Sequence, residues 1–407
     1  MTQSIVKHDL VVIGAGPVGL LAAREVASKG ASVRVIEEHE EIGIPCHCAG
    51  LLSANGLREI EVKPDSSFIQ NKVLGATFYS SSGMSFTIHG KEAKAYVVDR
   101  VAFDRFLAEQ VKSLDVKILF RTRAIKILFS KNAAIGILCS GDKQIPSPLT
   151  IDAEGISRSI LRKSGLVKLK AEPLPALQFE VKGINIDPNY VEIHLNKKLA
   201  PGFFIWVIPT SEHSARVGLA GKTNVANSLK NFVKKRFKNF DIISTKTGIL
   251  TISGPLKRTY WSGIMVVGDA AGQVKPTTGG GVITGGICAR IAGKVATDAI
   301  SNGIFTESFL KTYEDAWRFK LGREFSTMVL ARRILNMLPN ESLEKIFQTI
   351  VQNRLAEVVE KFGDIDFQST VILKMVANPA ILKLLPKVLN TVLIEYLRSG
   401  LDLLRLR

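Results

Sequence analysis

The stretch GIPCHCAG, residues 43–50, sets Cys46 and Cys48 on either side of His47. Three kinds of chemistry use such residues: metal ligation, thiol–disulfide exchange, and proton placement in a ligand pocket. A structural zinc site takes about four ligands, commonly from paired Cys-x-x-Cys spacings. Here one residue separates the thiols, no second cluster follows, and the six histidines form no motif, so no metal is expected. A disulfide across one residue strains the bond geometry, which disfavours a redox pair. What remains is a loop lining a ligand site, with a small buried apolar side chain as the plainer role for Cys48. His47 is read as facing solvent.

The elements in front of this loop say which ligand. In HDLVVIGAGPVGLLAAREVASKGASVRVIEE, residues 8–38, Leu10 to Ile13 read as a short buried strand. Gly14, Gly16 and Gly19 follow in G-x-G-x-x-G spacing, and a helical stretch then runs to Gly30. A second strand ends at Glu37. The first glycine permits the tight turn, the second lets a pyrophosphate approach the backbone, and the third lets helix and strand pack closely. The positive end of the helix dipole faces the phosphates. A carboxylate closing the second strand accepts hydrogen bonds from a ribose, so this passage reads as a dinucleotide site. Glu37 would repel a 2′-phosphate, which leaves NAD and FAD.

A second motif favours FAD. GIMVVGDAAGQVKPTTGGGVITGG, residues 263–286, reads as a strand, Gly268-Asp269, a loop, and a triple glycine opening an apolar helix. It resembles the second flavin motif of flavoproteins with the p-hydroxybenzoate hydroxylase fold. That resemblance implies that Asp269 binds the ribityl chain, that Pro276 lies near the isoalloxazine, and that the backbone of Gly279, Gly280 and Gly281 ahead of Val282 meets the flavin edge. Lys275 is read as a solvated loop cation. VVDRVAFDRFL (97–107) resembles the R-x-x-F-D-x-x-L helix start of the same proteins, with Arg100 at the cofactor. IDAEGISRS (151–159) resembles their A-D-G-x-x-S signature, with Glu154 in place of Asp.

Between the motifs, residues 56–95 and 172–255 turn strand-like, as in ALQFEVKGINI, YVEIHL, FFIWVIP and ARVGLAG. A mostly antiparallel sheet is expected there, roofing the cofactor. PGFFIWVIP (201–209) is apolar enough to be covered on both faces, as core or as the wall of a large apolar site. Together, EEIGIPCHCAGLLS and the strand carrying Phe204, Trp206, Ile208 and Pro209 resemble the geranylgeranyl reductase family. Register sets Cys48 at that family's cysteine. Phe204 stands where the family usually has Tyr.

The resemblance implies reduction of isolated carbon–carbon double bonds in geranylgeranyl chains, with hydride from reduced flavin and a proton donor near Cys48. It implies FAD contacts from Gly14, Gly16, Pro17, Gly19, Glu37, Glu38, Arg100 and Ala124, and from Asp269, Pro276, Gly279, Gly280, Gly281 and Val282. Cys46, His47, Phe204 and Trp206 would meet substrate. The electron donor stays open among NAD(P)H, ferredoxin and other reductants. Two rival readings stand beside this one: a flavin monooxygenase of the same fold, and a non-catalytic flavin protein that binds lipid.

The expected architecture is α/β: a Rossmann-like FAD-binding domain with a parallel sheet (1–60, 95–171, 255–324), an antiparallel β substrate domain (61–94, 172–254) and a C-terminal helical region (325–407). The chain has 407 residues, a net charge of +17 and four cysteines. Its basic residues are scattered without a nucleic-acid motif, so no nucleic-acid partner is expected. No basic-then-apolar leader is seen, and apolar runs stay short of the ~18–20 residues a spanning helix needs. A cytoplasmic protein is expected. Its leucine-rich, lysine- and arginine-bearing C-terminus, 378–407, reads either as helices capping the body or as a basic amphipathic anchor at the inner face of the cell membrane.

Overall fold

The computed structural model describes residues 8–168, 173–222 and 224–384. Its first layer is a six-stranded sheet ordered Tyr260–Trp261, Ile264–Val266, Leu149–Asp152, Leu10–Ile13, Val33–Ile36, Lys117–Leu119. Five strands are parallel and the edge strand Tyr260–Trp261 is antiparallel. The central strands are apolar and buried on both sides, as strands covered by helices must be. One face carries the helices Pro17–Ala27, Arg100–Lys112 and Val282–Asn302, with Tyr313 and Trp317 of Glu307–Met337 among its fully buried side chains. The other face is closed by the three-stranded meander Ala124–Ser130, Ala133–Cys139, Gln144–Pro146.

A seven-stranded sheet is ordered Asp241–Leu250, Leu174–Lys182, Ser214–Ala220, Ile205–Ser211, Tyr190–His194, Gly75–Tyr79, Ser85–Ile88. Five of its six pairings are antiparallel, and only Tyr190–His194 with Gly75–Tyr79 is parallel. Within residues 172–254, where a mostly antiparallel sheet is expected, Val225–Arg236 is a helix. Leu229, Phe232 and Val233 recur at helical spacing and bury against Ile205, Val207, Val217 and Leu219 of the sheet. The opposite face carries Phe203, Phe204, Trp206 and Ile208. Thus FFIWVIP is covered on both faces because alternate side chains enter two different clusters.

A small antiparallel sheet, Leu51–Ser53, Ala95–Val98, Ile69–Val73, joins these layers. It receives the chain directly from the cysteine loop. Glu307–Met337 runs unbroken through residue 325, so the cofactor side and the C-terminal helices share one element. Asn340–Gln352, Ala356–Phe362, Ser369–Val376 and Pro379–Leu382 follow. Among the described residues no helix is long and apolar enough to cross a membrane. Most of the basic C-terminal segment, including Pro386, Lys387, Arg398, Arg405 and Arg407, lies outside the described residues.

Candidate active site

The glycine motif forms the turn expected of it. Gly14 adopts φ +94°, and a Cβ there would stand 2.6 Å from the Ala153 carbonyl oxygen. A Cβ on Gly19 would stand 2.0 Å from the Gly14 oxygen. Nothing lies within 4 Å of a Cβ on Gly16, so the backbone there is open to an approaching group. Pro17 is the first helical residue, where its missing N–H costs nothing. Glu37 accepts from the Ala15 amide at 2.8 Å through Oε2, and Oε1 faces His39 Nδ1 at 2.6 Å.

Beside this turn lies a cavity of about 390 Å³. Gly14, Gly16, Glu37, Glu38 and Ala124 line it. Arg100, Cys46, His47 and Cys48 line it as well. One space therefore joins the nucleotide turn to the cysteine loop, 30 residues away along the chain between Gly16 and Cys46. Glu38 also pairs with Arg123 at 3.3 Å on the surface. His47 is exposed, and its Nδ1 meets the Thr247 carbonyl at 2.5 Å on the outermost strand of the seven-stranded sheet.

Arg100 opens its helix behind the N-cap Asp99 and grips Asp104, at 2.9 and 3.1 Å through Nη2. Burial alone would lower the pKa of the guanidinium. The Asp104 carboxylate opposes that by charge and by hydrogen bond, and the net direction is upward. Arg100 thus stands between the cysteine loop and its own helix, and Asp104 is a member of the site that the sequence reading lacked. The spacing of Arg100 and Asp104, one helical turn apart, was the signal for it. Both thiols are free and partly exposed. The Gly50 amide lies 3.4 Å from Cys48 Sγ.

The second motif lies outside the lining of that cavity but next to it. Strand Ile264–Val266 leads to Gly268 and Asp269. Burial raises the Asp269 carboxyl pKa, while Arg100 and then Arg158 lower it. A Cβ on Gly281 would stand 2.7 Å from Asp269 Oδ1, so this carboxylate reaches the start of Val282–Asn302. Gly279, at φ +72°, sits where a Cβ would stand 3.5 Å from Phe203 Cζ and 3.0 Å from Leu250 Cδ1. The glycine loop and the aromatic face of the second sheet are therefore neighbours. Phe203 stacks on Phe204 at 4.3 Å between centroids, and Trp206 donates from Nε1 to Gln178 Oε1 at 3.1 Å. Ala49 packs on the same apolar cluster as Phe204 and Trp206.

Lys275 is not the solvated loop cation that its sequence suggested. It is buried to 6 % exposure. Its Nζ pairs with Asp366 Oδ1 at 2.5 Å and donates to the Ile365 carbonyl at 3.1 Å. Asp366 also accepts from Ser53 Oγ. Arg332 donates to the carbonyls of Pro276 and Thr277 and covers the Phe203 ring at 4.6 Å. Burial lowers its pKa to about 10. Asp366 lies 91 residues beyond Lys275 and Arg332 lies 56 beyond Pro276, and no local pattern around Lys275 announces them.

Glu154 is oriented inward on the backbone. Its carboxylate accepts from the amides of Ile160 and Leu161 and from the hydroxyls of Ser157 and Ser159. Neighbouring Asp152 is fully buried, and its Oδ2 has no partner. Burial, and then Glu154, push its pKa well up.

The residues present fit FAD: an open glycine cradle, a carboxylate at the end of the second strand, and a half-buried Asp269 at a helix start beside an apolar aromatic wall. Comparison with known proteins agrees. Family models for an FAD dependent oxidoreductase and for a geranylgeranyl reductase catalytic domain match residues 9–158 and 174–250. Digeranylgeranylglycerophospholipid reductase 2 of Methanothermobacter thermautotrophicus is 31% identical over 86% of this chain and 94% of its own. Its counterpart from Methanopyrus kandleri is 30% identical over 94% and 96%. The crystal structure of a geranylgeranyl bacteriochlorophyll reductase-like protein from Thermoplasma acidophilum superposes with a TM-score of 0.84 at 26% identity, over 95% of this chain and all of that one. With the fold, the cofactor cradle and these relatives in agreement, the chain belongs to the geranylgeranyl reductase family and is an FAD-dependent oxidoreductase.

Proposed function

We propose that this enzyme saturates isolated double bonds in the geranylgeranyl chains of an isoprenoid ether lipid. The observation that carries the proposal is that the glycine loop, at Gly279, and the cysteine loop, through Ala49, both adjoin the apolar cluster bearing Phe203, Phe204 and Trp206. The names of the relatives supply the substrate class.

An isolated trisubstituted alkene is a poor hydride acceptor, so it needs a proton as well as a dry site. Bound FAD, once reduced, supplies the hydride. Gly14, Gly16, Gly19 and Glu37 hold the dinucleotide end, Asp269 and Arg100 flank the middle, and Pro276 with Gly279–Val282 form the wall at the reacting ring. Phe204 and Trp206 exclude water and offer π faces to developing positive charge on the alkene carbon. Cys48 places the proton, on its own sulfur or on a water that it orients. Cys46 and His47 close the outer side of the loop. In this reading the cofactor strands with their helices, the antiparallel sheet and the C-terminal helices serve as the three working parts.

The test is direct. Chemically reduced, FAD-loaded enzyme is mixed anaerobically with a geranylgeranyl ether lipid, and the lipid is analysed by mass spectrometry. Gain of hydrogen at the prenyl chains is expected; an unchanged lipid, or an oxygenated one formed in air, overturns the proposal. Trp206→Ala should impair long prenyl chains more than short ones, by roughly tenfold for the loss of about 1–3 kcal/mol of apolar contact. Equal loss for both lengths would count against a role in chain recognition.

A further inference from the structure

Arg216 is buried to 6 % exposure in the strand Ser214–Ala220, among Ala215, Val217 and Leu219. It stands opposite Ile208 in the antiparallel ladder, so its side chain leaves the sheet on the face of Ile208 and Trp206. Its Nη1 donates to the Ala49 carbonyl at 2.8 Å and the Val98 carbonyl at 2.9 Å. Its Nη2 donates to Gln70 Oε1 at 2.5 Å. The Nε–H is buried without a partner. A full charge is thus kept inside on neutral acceptors, an arrangement costly enough to need a reason beyond filling the strand.

The surroundings are shaped to admit it. Gly50 adopts φ +74°, and a Cβ there would stand 2.4 Å from Arg216 Nη1. Gln70 is the extra residue of a bulge: Ile69 pairs with Val98 and Asn71 with Val97. A bulge re-aims the side chain it carries, and here that side chain meets the guanidinium. Both bound carbonyls belong to the reaction side. Ala49 follows Cys48, and Val98 precedes Asp99, the N-cap of the helix that begins with Arg100.

We propose that Arg216 is a positioning residue that fixes the Cys48 loop against Arg100 and against the sheet bearing Trp206. This rests on the reading that Cys48 lies at the reacting double bond. A proton donor and a hydride donor must converge on one alkene, and a small misplacement of either costs rate.

The test uses the full FAD-loaded chain with Arg216→Met, Arg216→Lys and Gly50→Ala. Alkylation of Cys48 by iodoacetamide is followed by peptide mass mapping across pH, with buried Cys139 as the control, and kcat and KM are measured alongside. Arg216→Met and Gly50→Ala should speed Cys48 alkylation and change its pH dependence while kcat falls roughly tenfold at near-constant KM. Arg216→Lys, which keeps the charge but loses the fork, should fall between. Should Arg216→Met fail to fold, the other two variants carry the same readouts. FAD-loaded variants with Cys48 alkylation and kcat within about twofold of the parent would overturn the proposal. Full turnover in Cys48→Ala would instead sink the reading of Cys48, whereas the alkylation readout still decides whether Arg216 places the loop.

Discussion

At the scale of single residues, Cys48 and Asp269 carry the sharpest expectations. Cys48 faces the cavity beside Arg100. If it places the proton, Cys48→Ala should lower turnover by roughly 10²-fold, the lower end for general acid catalysis, with FAD retained. Turnover at the parental level would remove the thiol from the reaction. Asp269 is different, because it stands at a helix start and between two guanidinium charges. A carboxylate hydrogen bond is worth about 1.5–3 kcal/mol, so Asp269→Ala should weaken FAD binding by roughly tenfold or more. Flavin fluorescence during dilution measures it, and undiminished retention would contradict the assigned contact.

At the scale of elements, the loop Lys275–Gly281 is held from outside the cofactor strands. Lys275 is tied to Asp366, Thr277 Oγ1 to Gln368, and the carbonyls of Pro276 and Thr277 to Arg332. The three anchors belong to the long helix Glu307–Met337 and the segment ahead of Ser369–Val376. Removing one partner of a buried ion pair leaves the other charge stranded, at a cost of about 3–5 kcal/mol. Asp366→Asn should therefore lower the urea midpoint markedly and loosen FAD. Replacing both Lys275 and Asp366 by apolar residues should cost less than Asp366→Asn alone. A double variant less stable than the single one would show that the pair is more than a satisfied charge.

At the scale of the whole molecule, the C-terminal helices join the two main sheets. Glu344 accepts from Ser81 Oγ, Ser82 Oγ and the Ser82 amide at the tip of the hairpin between Gly75–Tyr79 and Ser85–Ile88. Phe347 packs on Phe86, and Glu360 accepts from the His89 amide. Partial burial alone would raise the Glu344 pKa, but the hydroxyls of Ser81, Ser82 and Ser80 overcome that and pull it from 4.5 to about 2. Because the folded pKa is depressed, the contact stabilises fully above pH 4.5 and is lost as pH falls through about 2. Hydrogen exchange at residues 80–84 should rise over that window, and Glu344→Gln should remove the dependence. An identical acid profile in the variant would discount this contact.

The sequence by itself determined the cofactor half of this protein. Gly14, Gly16, Gly19 and Glu37 act through backbone conformation and local spacing, and a strand–turn–helix of some thirty residues contains all of their geometry. The unbroken apolar run around Phe204 and Trp206 likewise marked a strand covered on both faces. Only the tertiary structure decided what surrounds the cysteine loop and the glycine loop. Lys275 looked solvated because its partner, Asp366, comes 91 residues later. Nothing local singles out Arg216, because its acceptors, Ala49 and Val98, lie 167 and 118 residues earlier. The helix Val225–Arg236 was hidden between strands for a related reason: its apolar stripe gains meaning only against the sheet it covers. Short-range periodicity and glycine spacing are local properties of the chain, whereas the burial of a charge depends on which distant segments fold over it.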